Sequence, residues 1–360
     1  NRLHSLIYER IKLIMAYTTI NKSSEHFNTK LYTGNATDNT AITGVGFQPD
    51  FTWIKARSIN YSHNAQDAVR GAGKRLEPDQ TYAEGTYPSF KSFDTDGFTL
   101  GTSAGVNDNG QTFASWNWKA NGTGSSNTDG TITSTVSANT TNGFSMSKYT
   151  GTGANASFGH GLGTTPAVYI IKRLTGAAGT WLMYHQSLGI GYHLGLNNTS
   201  AQNANDATFA NNTAPDTSKI YLGSWGDLNA NGSDFICYSF AEKQGYSKFG
   251  SYTGNGNADG TFVYTGFKPS FFLVKRTDST SSWTMLDNKR DPFNVTTERL
   301  FPNENVAASV GTNANTDFLS NGVKIRVNHG NFNASGGSYI YMAFAEAPLV
   351  GTNNVPATAR

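Results

Sequence analysis

The sequence has 360 residues, 14% charged and 12% aromatic, and its 27 Lys and Arg against 25 Asp and Glu leave a formal net charge of +2. That balance gives no basic footprint for nucleic acid, with Lys74-Arg75 the one dense patch, and no apolar run reaches the roughly 18 residues of a membrane-spanning helix. A single cysteine, Cys237, excludes internal disulfides, and the first 30 residues show no secretory signal, so folding in a reducing cytoplasm is expected.

Residues 1–14 mix Arg2, His4, Glu9, Arg10 and Lys12 with isolated apolar residues, unlike everything that follows. They read as upstream sequence translated in frame before Met15-Ala16-Tyr17, or as a short helix. Residues 15–30 are a lead-in to a first β-module over 31–120. Within it, Tyr32-Thr33-Gly34 leads to Gly46-Phe47-Gln48-Pro49 and the apolar run Phe51-Thr52-Trp53-Ile54-Lys55-Ala56. The module closes with an Asn109-Gly110 turn and Thr112 to Lys119, in which Ala114, Trp116 and Trp118 share one face. The Gly/Ser/Asn-rich stretch 121–130 reads as a linker without strand or helix.

A second module, 131–244, repeats the pattern with Tyr149-Thr150-Gly151, then Pro166 and Val168 to Arg173. Its polar segment from Leu196 to Pro215 is expected to be an extended surface loop. The third module, 245–348, carries Tyr252-Thr253-Gly254, then Pro269 and Phe271 to Arg276, before a C-terminal strap over 349–360. The run from Tyr252 to Arg276 is expected to be a hairpin, with Lys275-Arg276 marking where its second strand re-emerges. Two further correspondences support the repeat. The closing strands align Trp118, Phe240 and Phe344, and His63 to Asp67 stands where Trp181 to His185 and Trp283 to Asp287 stand. Recurrence at about a hundred residues makes each copy a small domain. Short strands punctuated by Gly, Asn and Pro point to an all-β chain of three tandem antiparallel β-sandwich modules, jelly-roll or concanavalin/laminin-G-like.

Residues that could carry chemistry are sparse. Asp67 to Lys74 contains Gly71 and Gly73 but lacks phosphate-loop spacing, so an Asp67/Arg70 pair buttressing a turn is expected. Asp94, Asp96 and Asp108 offer oxygen ligands for calcium, yet the EF-hand spacing is missing and Asp94-Thr95-Asp96-Gly97 reads more simply as a turn. Glu242 and Glu346 follow the closing strands of two modules, where a role at the sheet end is favoured over glycoside hydrolysis. No nucleophile elbow or His-x3-His pair is present, so no catalytic residue, metal or cofactor is assigned. Trp116, Trp118, Trp181 and Trp283 fit core strand positions. Trp225, Tyr192, Tyr184 and Asp227, near the polar loop of module two, are the ligand-binding candidates, since planar rings stack on sugar faces.

Met15 to Ser24, Gly44 to Lys55, Asp67 to Lys74, Ser92 to Phe98 and Tyr339 to Arg360 together resemble a family of tail-fibre-like, virion-associated structural proteins of tailed phages of marine bacteria. The resemblance covers Met15 to Arg360 and implies a non-enzymatic subunit: a tail fibre, an appendage or a capsid decoration. Such a subunit would fold in the host cytoplasm, join other virion subunits as a homo-oligomer, and contact host cell-surface glycans without inserting in a membrane. The alternatives are a carbohydrate-active, tailspike-like depolymerase and a bacterial surface adhesin.

Overall fold

The apolar runs of the three modules become strands buried on both faces. A computed structural model describes residues 17–351 and Pro356; residues 1–14 and most of the strap lie outside the described residues. In each module four antiparallel strands lie side by side with the closing strand second; in modules one and three they are the whole sheet, in module two the middle of an eight-stranded one. In module one the order is Phe27–Thr33, Thr112–Trp118, Phe51–Ala56, Asn64–Asp67. In module two it is Phe144–Thr150, Asp234–Phe240, Val168–Arg173, Leu182–His185, and in module three Ser247–Thr253, Ser338–Pro348, Phe267–Arg276, Thr284–Asp287. A smaller sheet covers one face of each, built on Thr40–Thr43 and Gly97–Leu100, on Ala156–Gly159 and Lys219–Leu222, and on Phe262–Tyr264 and Gly322–Ile325. The chain is therefore an all-β set of sandwiches.

Each sandwich has its own core: Ile54, Phe98 and Phe113 in module one, Tyr149, Phe158 and Phe235 in module two, Phe272, Val323 and Phe332 in module three. The opposite faces of the three larger sheets meet in a shared core. Trp116 and Trp118, Tyr238 and Phe240, and Met342 and Phe344 all point into it, together with Phe27, Phe51 and Phe271. Alternate residues of one strand thus serve two cores, and both sets are apolar because neither face meets water.

Several expectations are corrected. Tyr252 and the run to Arg276 are not a hairpin: their strands flank opposite sides of the closing strand, paired as Tyr252 with Tyr339 and Val274 with Tyr341. Lys275 does not mark re-emergence, since it is wholly buried. Pro269 occupies a bulge, where a residue without an N–H is tolerated. The first module's opening strand begins at Phe27, inside the expected lead-in, because Phe27 pairs with Trp118 and fills the shared core. The stretch read as a linker holds a strand, Ser125–Asn127, which joins Ser134–Asn139 at the edge of the second module's sheet. Leu196 to Pro215 is only partly an extended loop, containing a short strand Asn203–Ala204 and a helical turn Ala207–Ala210.

The Tyr-Thr-Gly repeat has one structural explanation in all three copies. The tyrosine hydroxyl donates to a carbonyl in a four-residue helical turn: Tyr32 to Val106 (2.7 Å), Tyr149 to Leu228 (2.6 Å), Tyr252 to Phe332 (2.7 Å). A Cβ at Gly34, Gly151 or Gly254 would collide with the backbone just past that turn, at Asp108, Ala230 or Ala334. The turn ends in a buried asparagine, Asn107, Asn229 or Asn333, whose side chain accepts from the N–H of Asn35, Thr152 or Asn255. Its amide donates back to the carbonyls of Gly101, Gly223 or Val327.

The modules interlock cyclically. An arm following each short hairpin, residues 77–84, 195–202 or 301–308, lies on the next module, where Glu84, Gln202 and Ala308 donate their N–H to Leu174, Thr277 and Arg57. Trp181 reaches back to the Glu77 carbonyl (3.1 Å), Trp283 to Gly195 (2.9 Å), and His63 to Phe301 (3.0 Å). His63 Nδ1 accepts from Trp53, so its Nε2 carries the proton that completes this set. Lys172, Lys275 and Lys55 donate from buried amines to the carbonyls of Thr81, Thr199 and Asn305 on the same arms (2.9, 3.3 and 3.3 Å). Module two binds the arm of one, three that of two, and one that of three. This is a heterologous contact used three times and closed into a ring, the arrangement of a cyclic trimer within one chain.

Candidate functional site

The arms and the hairpins before them are also where the modules differ most. Around the equivalent of His193, module one has Arg75 and module three Arg299, each set by the pairing of Ala65, Met183 or Met285 with Leu76, Leu194 or Leu300. In module one the Arg75 guanidinium stacks on Tyr87, 3.8 Å from the ring centroid, beside the exposed Tyr82. In module two the corresponding place is a cavity of about 220 Å³ lined by His193, Asn205, Asp206, Phe209 and Trp225 among others.

That cavity is built by neighbouring elements. Tyr192–Gly195 pairs with Asn203–Ala204, which brings Asn205 and Asp206 alongside His193. Asp206 then starts the turn Ala207–Ala210 by accepting from Thr208 N–H and Oγ1 (2.8 and 2.5 Å), and these bonds hold its carboxyl below the usual range. The Thr208 carbonyl in turn accepts from Trp225 N–H, seating the indole over the cavity. The His193 ring stacks on Phe209 (5.3 Å, 11°) and meets Trp225 edge-on (5.0 Å, 66°). Asn205 fixes the histidine tautomer. Its amide nitrogen donates to the Ile190 carbonyl (2.8 Å), so its oxygen faces His193 Nδ1 (2.5 Å), which must be the protonated nitrogen. Burial lowers the His193 pKa, so the ring is neutral at neutral pH and its Nε2 is an acceptor.

The four ligand-binding candidates part company. Trp225 lines the cavity and Tyr192, 40% exposed, begins the strand that forms its wall. Tyr184 is instead buried, stacked on Tyr169 (4.8 Å), and burial raises its pKa. It cannot touch a ligand, because its ring is packed in the core of the module. Asp227 points to the junction with module one's arm, accepting from Thr180 N–H (3.2 Å). The residues that complete the cavity, His193, Asn205, Asp206 and Phe209, were not singled out from sequence. The signal was available only as the polar segment in which Asn205, Asp206 and Phe209 lie.

The remaining candidates are occupied by the scaffold. Asp96 accepts from Gly44 and Gly46 N–H (3.0 and 2.6 Å), Asp94 from Ser92 and Thr99, and Asp108 from Asn109 N–H. Among the described residues no group of three or more His, Cys, Asp and Glu is placed to hold a metal ion. Glu242 holds Gln186, Phe249 N–H and Lys248 at the module two–three junction, and Glu346 holds Asn288 and Lys268. The Asp67/Arg70 pair forms at 2.5 Å, fully buried, and recurs as Asp287/Arg290. Each aspartate also accepts from the next module's closing strand, Asp67 from Tyr238 (2.7 Å) and Asp287 from Trp116 (3.1 Å).

A family model described as a domain of unknown function (DUF7483) matches residues 22–348. The chain belongs to the DUF7483 family. Comparison with curated proteins finds no match. The DUF7483 match runs through all three modules, the same span that shares one core and closes the ring of arms.

Proposed function

We propose that this DUF7483 protein is a non-enzymatic structural subunit of a phage virion, a tail fibre, an appendage or a capsid decoration, that presents variable surface segments to host glycans. The observation that carries this reading is the ring of modules. The polar bonds repeated in triplicate build and join it: tyrosine to helical turn and asparagine to loop brace each module from within, and lysine to neighbouring arm links one module to the next. One chain thereby supplies a threefold arrangement that would otherwise need three subunits, which suits a position of threefold symmetry on a particle. The carboxylates weighed for glycoside hydrolysis are engaged by the scaffold, Glu242 across the module two–three junction and Glu346 with Asn288 and Lys268 inside module three, so they support a mechanical role. The likeness of Met15 to Arg360 to tail-fibre-like proteins points the same way, as an analogy.

Mass spectrometry of purified particles tests the proposal. The protein is expected among the virion components in fixed copy number, and that number separates a capsid decoration from a tail appendage. Its absence from intact virions would overturn the reading.

A further inference from the structure

The cavity under Trp225 gathers polar groups with free acceptor positions beside an indole that solvent reaches. Its His193 donates through Nδ1 and keeps Nε2 as an acceptor, and Asp206, an exposed residue of the lining, takes both Thr208 bonds on Oδ1 and keeps Oδ2 for another donor. Trp225 is the half-buried member of the six tryptophans; the other five are at most 5% exposed. The cavity therefore offers an indole face, two acceptors and a single negative charge.

We propose that this cavity binds one neutral pyranose unit of a glycan, with the apolar C–H face of the sugar on Trp225 and its hydroxyls donating to Asp206 Oδ2 and His193 Nε2. The volume of about 220 Å³ lies below that of drug-sized sites and suits a single sugar ring. The Asp206 carboxylate repels phosphate, sulfate and uronic acids, and hydroxyl donors match acceptors that would otherwise bond only to water. The equivalent places do not repeat it: module one has a smaller cavity of about 80 Å³ bordered by Glu77 and by Arg75 stacked on Tyr87, and module three has Arg299, whose guanidinium lies 5.4 Å from the Phe301 ring centroid. The subsite thus belongs to one module of three. It rests on the reading of the protein as a glycan-contacting subunit, not on where that subunit sits on a particle.

Acrylamide quenching of tryptophan fluorescence tests this directly, because Trp225 is the ring that solvent reaches. The probes are methyl glycosides of glucose, galactose, mannose and N-acetylglucosamine, titrated on the full chain up to about 10 mM, the range in which single-sugar contacts are measured. At least one is expected to protect Trp225 from quenching, and Asp206→Asn, which keeps the Thr208 contact, is expected to weaken that saccharide about tenfold or more. Trp225→Phe, folded by circular dichroism, should lose the protectable fluorescence and weaken binding seen by proton NMR of the sugar. Protection by none of the probes, or unchanged affinity in both variants, would overturn the subsite. Release of reducing sugar from a bound oligosaccharide would instead overturn the non-enzymatic reading while supporting the site.

Discussion

Raising the pH from about 7 to about 9.5 should stabilise this protein, and three buried lysines are the reason. Lys55, Lys172 and Lys275 are wholly buried, and that burial lowers each amine from its ordinary 10.5 to about 8. Between those values the folded amine is neutral while the unfolded one is still charged, so the unfolded state binds more protons and stability climbs with pH. At 1.36 kcal/mol per unit, each lysine contributes about 2 kcal/mol by pH 9.5, roughly 6 kcal/mol for three independent sites. The Cys237 thiol, pushed up to about 12 by burial, opposes this by about 1 kcal/mol, because the unfolded thiol ionises first. Buried tyrosines such as Tyr149, Tyr169 and Tyr238, raised in the same way, reverse the gain above roughly pH 10. Urea unfolding across this range, on wild type and Lys172→Met, is the assay. The methionine fills the stem's space but leaves the Gly179 carbonyl without its lysine donor, while the Thr81 carbonyl keeps the Gly179 N–H; the loss of about 1–3 kcal/mol for the unmet carbonyl is offset at neutral pH by removal of the buried charge. The substitution should also remove about a third of the rise with pH. A wild-type stability that is flat or falling between these pH values, or a variant with the wild-type slope, would refute the reasoning.

Two further pairs of substitutions probe the repeat and the ring. Gly254→Ala forces a Cβ into the Ala334 carbonyl in a packed interior, and should cost about 1–3 kcal/mol or more in the urea midpoint, whereas Gly311→Ala, with nothing near its Cβ, should be close to neutral. At the junction of modules one and two, Tyr238→Phe leaves Asp67 its Arg70 partner and should cost about 1–2 kcal/mol. Asp67→Ala removes the nearest charge partner of the buried Arg70 guanidinium, leaving it Glu84 at 3.1 Å, and should cost more, up to about 3–5 kcal/mol; equal losses for the two would show that the charge pair is not what the junction depends on.

The strands themselves were legible because strand periodicity and turn chemistry are local. The faces of Ala114, Trp116 and Trp118, the alignment of Trp118, Phe240 and Phe344, and the core placement of Trp181 and Trp283 all follow from alternation and spacing. What misled was pairing. Tyr252 and Phe271 are close in sequence and read as a hairpin, but the closing strand, some seventy residues downstream, inserts between them. Lys275 read as a solvent marker since lysine is seldom buried, but its amine donates to the Arg276 carbonyl (2.7 Å) and to Thr199 on the arm of the neighbouring module (3.3 Å), and these acceptors make burial tolerable.

For the cavity the division is sharper. Trp225 stood out by its neighbouring glycines, and Tyr192 by proximity to a polar segment, but Tyr184 and Asp227 shared that proximity and face a core and a module junction. By itself the sequence determined that this is an all-β chain of three related units, because apolar alternation, Gly and Asn turns and a thrice-repeated motif are properties of short segments. The tertiary structure decided that the units close on one another around a shared core and that His193, Asp206 and Trp225 meet. Those outcomes depend on which strand inserts where and which carbonyl a buried donor can reach, and such long-range pairings leave no periodic mark on the chain.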